Sequence, residues 1–196
     1  MNKNRLEAFS DGVIAILITI MVLDLKMPHG SAWAALEPLA PVLFTYLLSF
    51  LYLGIYWNNH HHMLHATRSI TGGILWANLH LLFWLSLIPA TTAWVDESRY
   101  APVPTALYGT VLLMAAIAYW ILQQLIIRSQ GADSLLKRAV RGDWKGKLSP
   151  VLYAIAVLVA RRHPPVATAI YALVALMWLV PDRRIERALT ADTGRT

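Results

Sequence analysis

Cysteine is absent from this 196-residue sequence, which removes disulfides, thiolate metal sites and cysteine nucleophiles without fixing a compartment. Charge is scarce as well: 14% of residues are Asp, Glu, Lys or Arg against 57% hydrophobic, a balance that argues against a soluble globule. No H-E-x-x-H pair, Gly-rich phosphate loop, nucleophile elbow or pair of catalytic carboxylates can be read. Nor does the chain contain a Thr-Val-Gly-Tyr-Gly stretch of the kind that stacks backbone carbonyls around an ion. Internal repeats and low-complexity tracts are also missing, and His60 to His62 is too short to count as one.

What is present is a series of apolar runs divided by short polar connections. The length suits one domain over residues 1–196. Hydropathy predicts an all-α integral membrane protein with six transmembrane helices, at about 5–25, 37–60, 74–94, 105–127, 148–160 and 166–180. The last two runs are short for a span. Lys26 to Gly30 and Pro164-Pro165 read as turns, and the tail from Pro181 as polar and frayed. The first run is long, carries Asp11 and lacks a small-residue cleavage site, so it is expected to stay as a span.

Six spans place both termini on one side. Assigning that side to the cytoplasm puts 13 Lys and Arg there and 4 opposite, as the positive-inside rule prefers. The net charge of +6 is therefore assigned to anionic lipid headgroups rather than to nucleic acid, and the Arg128 to Lys147 connection is its main concentration. Trp33, Trp76, Trp94, Trp120 and Trp178 fit interfacial belts.

The chain is organised around Arg5 to Leu25. Asn4 with Glu7 resembles a capping box, which predicts a helix starting at Arg5, and a helix of this length rises about 30 Å, enough to cross the hydrocarbon. At helical spacing Phe9, Gly12, Ile16, Thr19, Ile20 and Leu23 share a stripe, while Asp11 lies on a different face. A carboxylate inside a span needs a partner. The antiparallel return of the second span brings Trp57 and His61 to its depth. Their indole and imidazole N–H groups, four residues apart, can donate to a carboxylate that only accepts. By spacing alone the stripe is either a packing surface or a pore wall.

The pattern Arg5-x-x-x-Phe9-Ser10-Asp11-Gly12-Val13-x-Ala15-Ile16, followed by Thr19 and Leu23, resembles the first helix of the transmembrane protein 175 family of cation channels. The resemblance extends over the whole length as one six-helix repeat and carries further expectations. The first helix would line a pore, with a hydrophobic constriction at Ile16 and Leu23 and with Thr19, Ile20 and Gly12 lining it and setting selectivity. Arg5, Ser10, Asp11, Trp57 and His61 would form a structural polar network behind the pore. One repeat cannot enclose a pore, so the assembly would be a homotetramer in the lipid bilayer of a bacterial plasma membrane. It would conduct K⁺ passively and without a cofactor.

Two other classes are open to the same residues. His60, His61, His62 and His65 with Asp11 suggest an intramembrane metal-dependent enzyme, His61 and His65 having a spacing that can chelate zinc. Asp11 could instead carry a proton in a coupled transporter, and the histidines could sense pH.

Overall fold

The computed structural model describes residues 2–26, 28, 32–131, 134, 136–137 and 142–179. The described residues form helices and connections with no strand. The expected Val180 end of the sixth span and the tail from Pro181 lie outside them, as does part of the Lys26 to Gly30 turn.

The first helix, α1, runs Lys3–Ile20 and tightens into a 3₁₀ turn over Met21–Asp24. Its N-cap is Asn2, whose side chain accepts from the Asn4 N–H, so the helix begins two residues before the expected Arg5. The expected capping box at Asn4 is not formed, because Asn2 already supplies the capping oxygen and Glu7 is engaged by another helix. A 3₁₀ segment, Trp33–Leu39, leads into α2, Ala40–His65, with Pro41 in the first turn where no N–H is needed. Helix α2 continues beyond the expected residue 60 to His65, since the histidine tract costs the backbone nothing at a polar helix end.

The third expected span is two helices. Thr71 caps α3, Gly72–Ser86, and α4, Ile88–Glu97, follows after a break at Leu87. Pro89 sits in the first turn of α4; its missing N–H and its ring favour a restart there over an unbroken ladder. Helix α5, Pro102–Gln130, outruns the expected 105–127. Helix α6, Trp144–Ala160, starts four residues before the expected 148, because Asp143 caps it by accepting from the Gly146 N–H at 2.9 Å. Pro164 and Pro165 are not a turn: they open α7, Pro164–Leu179, where φ is already helical and a missing donor is harmless.

Among the described residues four helical stretches are long and apolar enough to cross a membrane, Lys3–Asp24, Leu36–His65, Gly72–Glu97 and Pro102–Gln130; α6 and α7 are shorter. Helix α5 is the hub, packed by α3, α4, α6 and α7, whereas α1 leans on α2 and α3 at the side of the bundle. Hydroxyl groups tie the interior together. Ser49 Oγ lies 2.7 Å from Thr92 Oγ1 and 2.9 Å from Tyr108 Oη, and Tyr52 donates to the Tyr171 carbonyl at 2.6 Å. Buried polar groups in a membrane bundle act as such cross-links because hydrocarbon offers no alternative partner. The turn between α4 and α5 places Arg99 and Tyr100 at φ 51 and 60, held by the Tyr100 hydroxyl donating to the Pro41 carbonyl at 2.7 Å. Burial pushes that hydroxyl above its ordinary pKa, which keeps it a donor.

One close approach gives a stability prediction. A Cβ on Gly109 of α5 would overlap the Tyr171 ring, whose hydroxyl donates to the Thr105 carbonyl at 3.2 Å and whose ring lies 5.6 Å from that of Tyr108. Gly109→Ala is expected to destabilise the fold by about 1–3 kcal/mol through overpacking, seen as a lower unfolding temperature in detergent. An unchanged temperature would mean that Tyr171 can move away freely.

Candidate functional site: the two faces of the first helix

Helix α1 has a buried and an open side. Leu6, Ser10, Ile14, Leu17 and Met21, spaced three to four residues apart, are buried against the bundle. Phe9, Gly12, Ile16, Thr19, Ile20 and Leu23 are exposed, Ile16 at 59% and Leu23 at 79%. Ala8 and Ala15 are exposed as well. A Cβ on Gly12 would meet nothing within 4 Å, so this face is open space within one chain. The Thr19 hydroxyl donates to the Ile16 carbonyl at 3.0 Å. Its oxygen keeps lone pairs that can accept from water or face a cation.

Toward α2 the helix presents a polar ladder. Lys3 Nζ donates to the His65 carbonyl at 2.7 Å, His61 Nδ1 pairs with Glu7 Oε1 at 3.0 Å, and Trp57 Nε1 donates to Asp11 Oδ1 at 3.0 Å. Each rung steps four residues forward on α1 and four back on α2, which is how two antiparallel helices keep one face in register. Trp57 and His61 therefore do not share Asp11, as the sequence had suggested. Each takes its own carboxylate, because Glu7 and Asp11 are themselves four residues apart. The His61 ring stacks between Trp57 and His65, with centroids 6.3 and 6.0 Å away. Trp57 is 45% exposed, so this ladder runs along the edge of the bundle. Arg5 is exposed and makes no side-chain bond to the ladder among the described residues.

Ser10 is not part of that ladder. It belongs to a second, fully buried chain of polar groups. Ser10 Oγ donates to the Leu6 carbonyl at 2.9 Å and accepts from Asn78 Nδ2 at 2.9 Å. Asn78 Oδ1 lies 2.7 Å from His60 Nε2. Ser10, Asn78 and His60 are each 0% exposed. Because the Asn78 oxygen can only accept, the network assigns the Nε2 proton to His60 and leaves its Nδ1 without a hydrogen-bond partner among the described residues. This chain bolts α1, α2 and α3 together directly behind the open face. Sequence reading left Asn78 out of the site and put His60 with the metal candidates. The available signal was an amide in a largely apolar third span, since a polar group at that depth has to be paired.

The histidine tract is accordingly divided: His60 points inward, while His61 and His65 stack along the edge. Among the described residues no three His, Cys, Asp or Glu side chains come together in a group that could hold a metal ion.

The profile of the family described as "Endosomal/lysosomal potassium channel TMEM175" matches residues 5–89, the part that contains the open stripe and both polar networks apart from Lys3. A protein of Chryseobacterium sp. (strain P1-3) named a potassium channel is 53% identical over 189 residues, 96% of this chain and 98% of its own length. The chain belongs to the TMEM175 family. With its long apolar helices, it is an integral membrane protein. A rat relative named an endosomal/lysosomal proton channel TMEM175 is 30% identical over 132 residues, 61% of this chain and 26% of its own length. The crystal structure of a lysosomal potassium-selective channel TMEM175 homolog from Chamaesiphon minutus shares the fold, with a TM-score of 0.76, 23% identity and coverage of 92% of this chain and 97% of that one.

Proposed function

We propose that this protein conducts K⁺ passively through a pore lined by α1, in a homotetramer with both termini in the cytoplasm of a bacterium. The observation that carries the reading is the open face of α1. It is apolar, yet built from Ala8, Gly12, Ala15 and Thr19 interleaved with Ile16, Ile20 and Leu23. A surface meant only for lipid has no need of small residues, whereas close approach of like helices does. Behind this face the Ser10–Asn78–His60 chain fixes the helix so that the stripe can hold a defined width. The full-length relative named a potassium channel supports the choice of ion.

In this arrangement four Ile16 side chains meet on the axis and Leu23 forms a second ring toward the other mouth. Neither ring offers a ligand, so a cation passes when the pore is wide enough to stay wetted and stops when it dewets. Thr19, between them, supplies oxygen atoms toward which a partly dehydrated K⁺ can turn. Asp11 lies off the stripe with one carboxylate oxygen bound to Trp57, which suits a brace rather than an ion ligand.

The test is a purified protein in liposomes under opposed K⁺ and Na⁺ gradients, with its mass measured intact in mild detergent. A tetramer that dissipates the K⁺ gradient faster than the Na⁺ gradient is expected. A monomer, or a tetramer without cation flux, would overturn the reading. Proton passage is the second reading, favoured by the name of the rat relative. Acidification of the vesicle lumen in the absence of permeant alkali cations would select it.

A further inference from the structure

A groove of about 390 Å³ lies away from α1, between α2, α5, α6 and the end of α7. That volume is in the range of small-ligand sites. Its walls are aromatic, with Tyr56, Tyr119, Tyr153 and Trp178 facing one another. Gln123 of α5 also lines it. This side chain is only 7% exposed, yet its amide has no hydrogen-bond partner among the described residues. Its amide atoms are not sealed from the groove, so a molecule lying there can bond to them.

The mouth is charged. Lys147, at the start of α6, is exposed and unpaired among the described residues, and Lys145 lies over the Trp178 ring at 5.9 Å. Asp143 is present too, but one of its oxygens is held by the Gly146 N–H at 2.9 Å, where the α6 N-terminus offsets its charge. With Asp143 engaged as the cap, the exposed Lys147 leaves the mouth positive. The mouth also lies at the end of the bundle where α6 starts, since Asp143, Gly146 and Lys147 line it. A positive rim above an aromatic cleft with one hydrogen-bonding amide inside has the polarity of a lipid: charged head, ester neck, apolar tail.

We propose that this groove holds one anionic phospholipid per chain. Its phosphate sits at Lys147, its ester region is bonded by the Gln123 amide, and one acyl chain lies along Tyr56, Tyr119 and Tyr153. An anionic headgroup answers both the positive mouth and the amide below it, whereas an apolar segment answers neither. The site is independent of the pore reading, and either can fail without the other.

Native mass spectrometry of the intact protein, titrated with phosphatidylglycerol and with phosphatidylcholine of the same acyl chains, tests it. One phosphatidylglycerol per chain is expected to bind about fivefold more tightly than phosphatidylcholine, the effect of one lysine at a lipid surface. Lys147→Gln should erase that preference while leaving oligomeric mass and unfolding temperature unchanged. Gln123→Leu should weaken both lipids to a similar extent. Equal binding of the two lipids by wild type, or binding that neither substitution alters, would overturn the proposal. So would loss of lipid that tracks a change in oligomeric mass, because a neighbouring chain would then fill the groove. Should Gln123→Leu fail to fold, the exposed Lys147→Gln decides the matter alone.

Discussion

Ile16→Asn should raise cation flux severalfold in liposomes and reduce the preference for K⁺ over Na⁺. Ile16 is 59% exposed on the open face of α1, so an amide there disturbs no packing within the chain. Four amides at the axis would offer oxygen atoms to a passing ion and keep the constriction wetted, which lowers the barrier that four isoleucines impose. The neighbouring residue is the control. Leu17 is 6% exposed and packed into the bundle, so Leu17→Asn strands a polar group in an apolar site at a cost of about 1–3 kcal/mol. It should lower expression and unfolding temperature without a gain in flux. The two substitutions are adjacent and put the same amide in place of isomeric side chains, so the main difference is the face they occupy. If Ile16→Asn folds and assembles yet leaves flux unchanged, the constriction is elsewhere.

The largest loss of stability is expected at Asn78. Asn78→Leu keeps the volume and removes both hydrogen bonds, leaving Ser10 without its donor and His60 Nε2 without its acceptor. Each stranded buried group costs about 1–3 kcal/mol, so the total is on the order of 2–6 kcal/mol. Most of the protein should then fail to assemble at the growth temperature. Asp11→Ala should be milder, because it releases a Trp57 indole that is 45% exposed rather than a sealed group. Unfolding temperatures in detergent would rank the two, and an Asp11→Ala protein less stable than Asn78→Leu would reverse the assignment. A cycle that adds Ser10→Ala checks the coupling. Asn78→Leu should cost less in that background than in wild type, because one of the two stranded groups is already gone.

These expectations separate what each level of description decides. The sequence by itself determined the class of the molecule: apolar runs of span length, an acid within the first of them, and a stripe with helical periodicity. Those are properties of local chain geometry and of transfer from water, and neither needs a partner to be known. The sequence also brought α1 and α2 to the same depth, because two successive spans must run antiparallel, and so paired Asp11 with Trp57.

Helix ends were less legible. Asn2 competes with Asn4 to cap α1, and Pro164 and Pro165 can close a turn or open a helix; in each case local chemistry permits both outcomes. The break at Leu87 within the expected third span is the same kind of choice, since a proline near the end of an apolar run can kink, end or begin a helix. Only the tertiary structure divided the polar residues into two networks. Ser10 and Asp11 are adjacent in sequence but about 100° apart around the helix, so one meets α3 and the other meets α2. His60 and His61 separate for the same reason, one sealed against Asn78 and the other on the edge with Glu7. Nothing local distinguishes one histidine of the tract from the next. The packing of three helices does, because it fixes which side of α2 is dry.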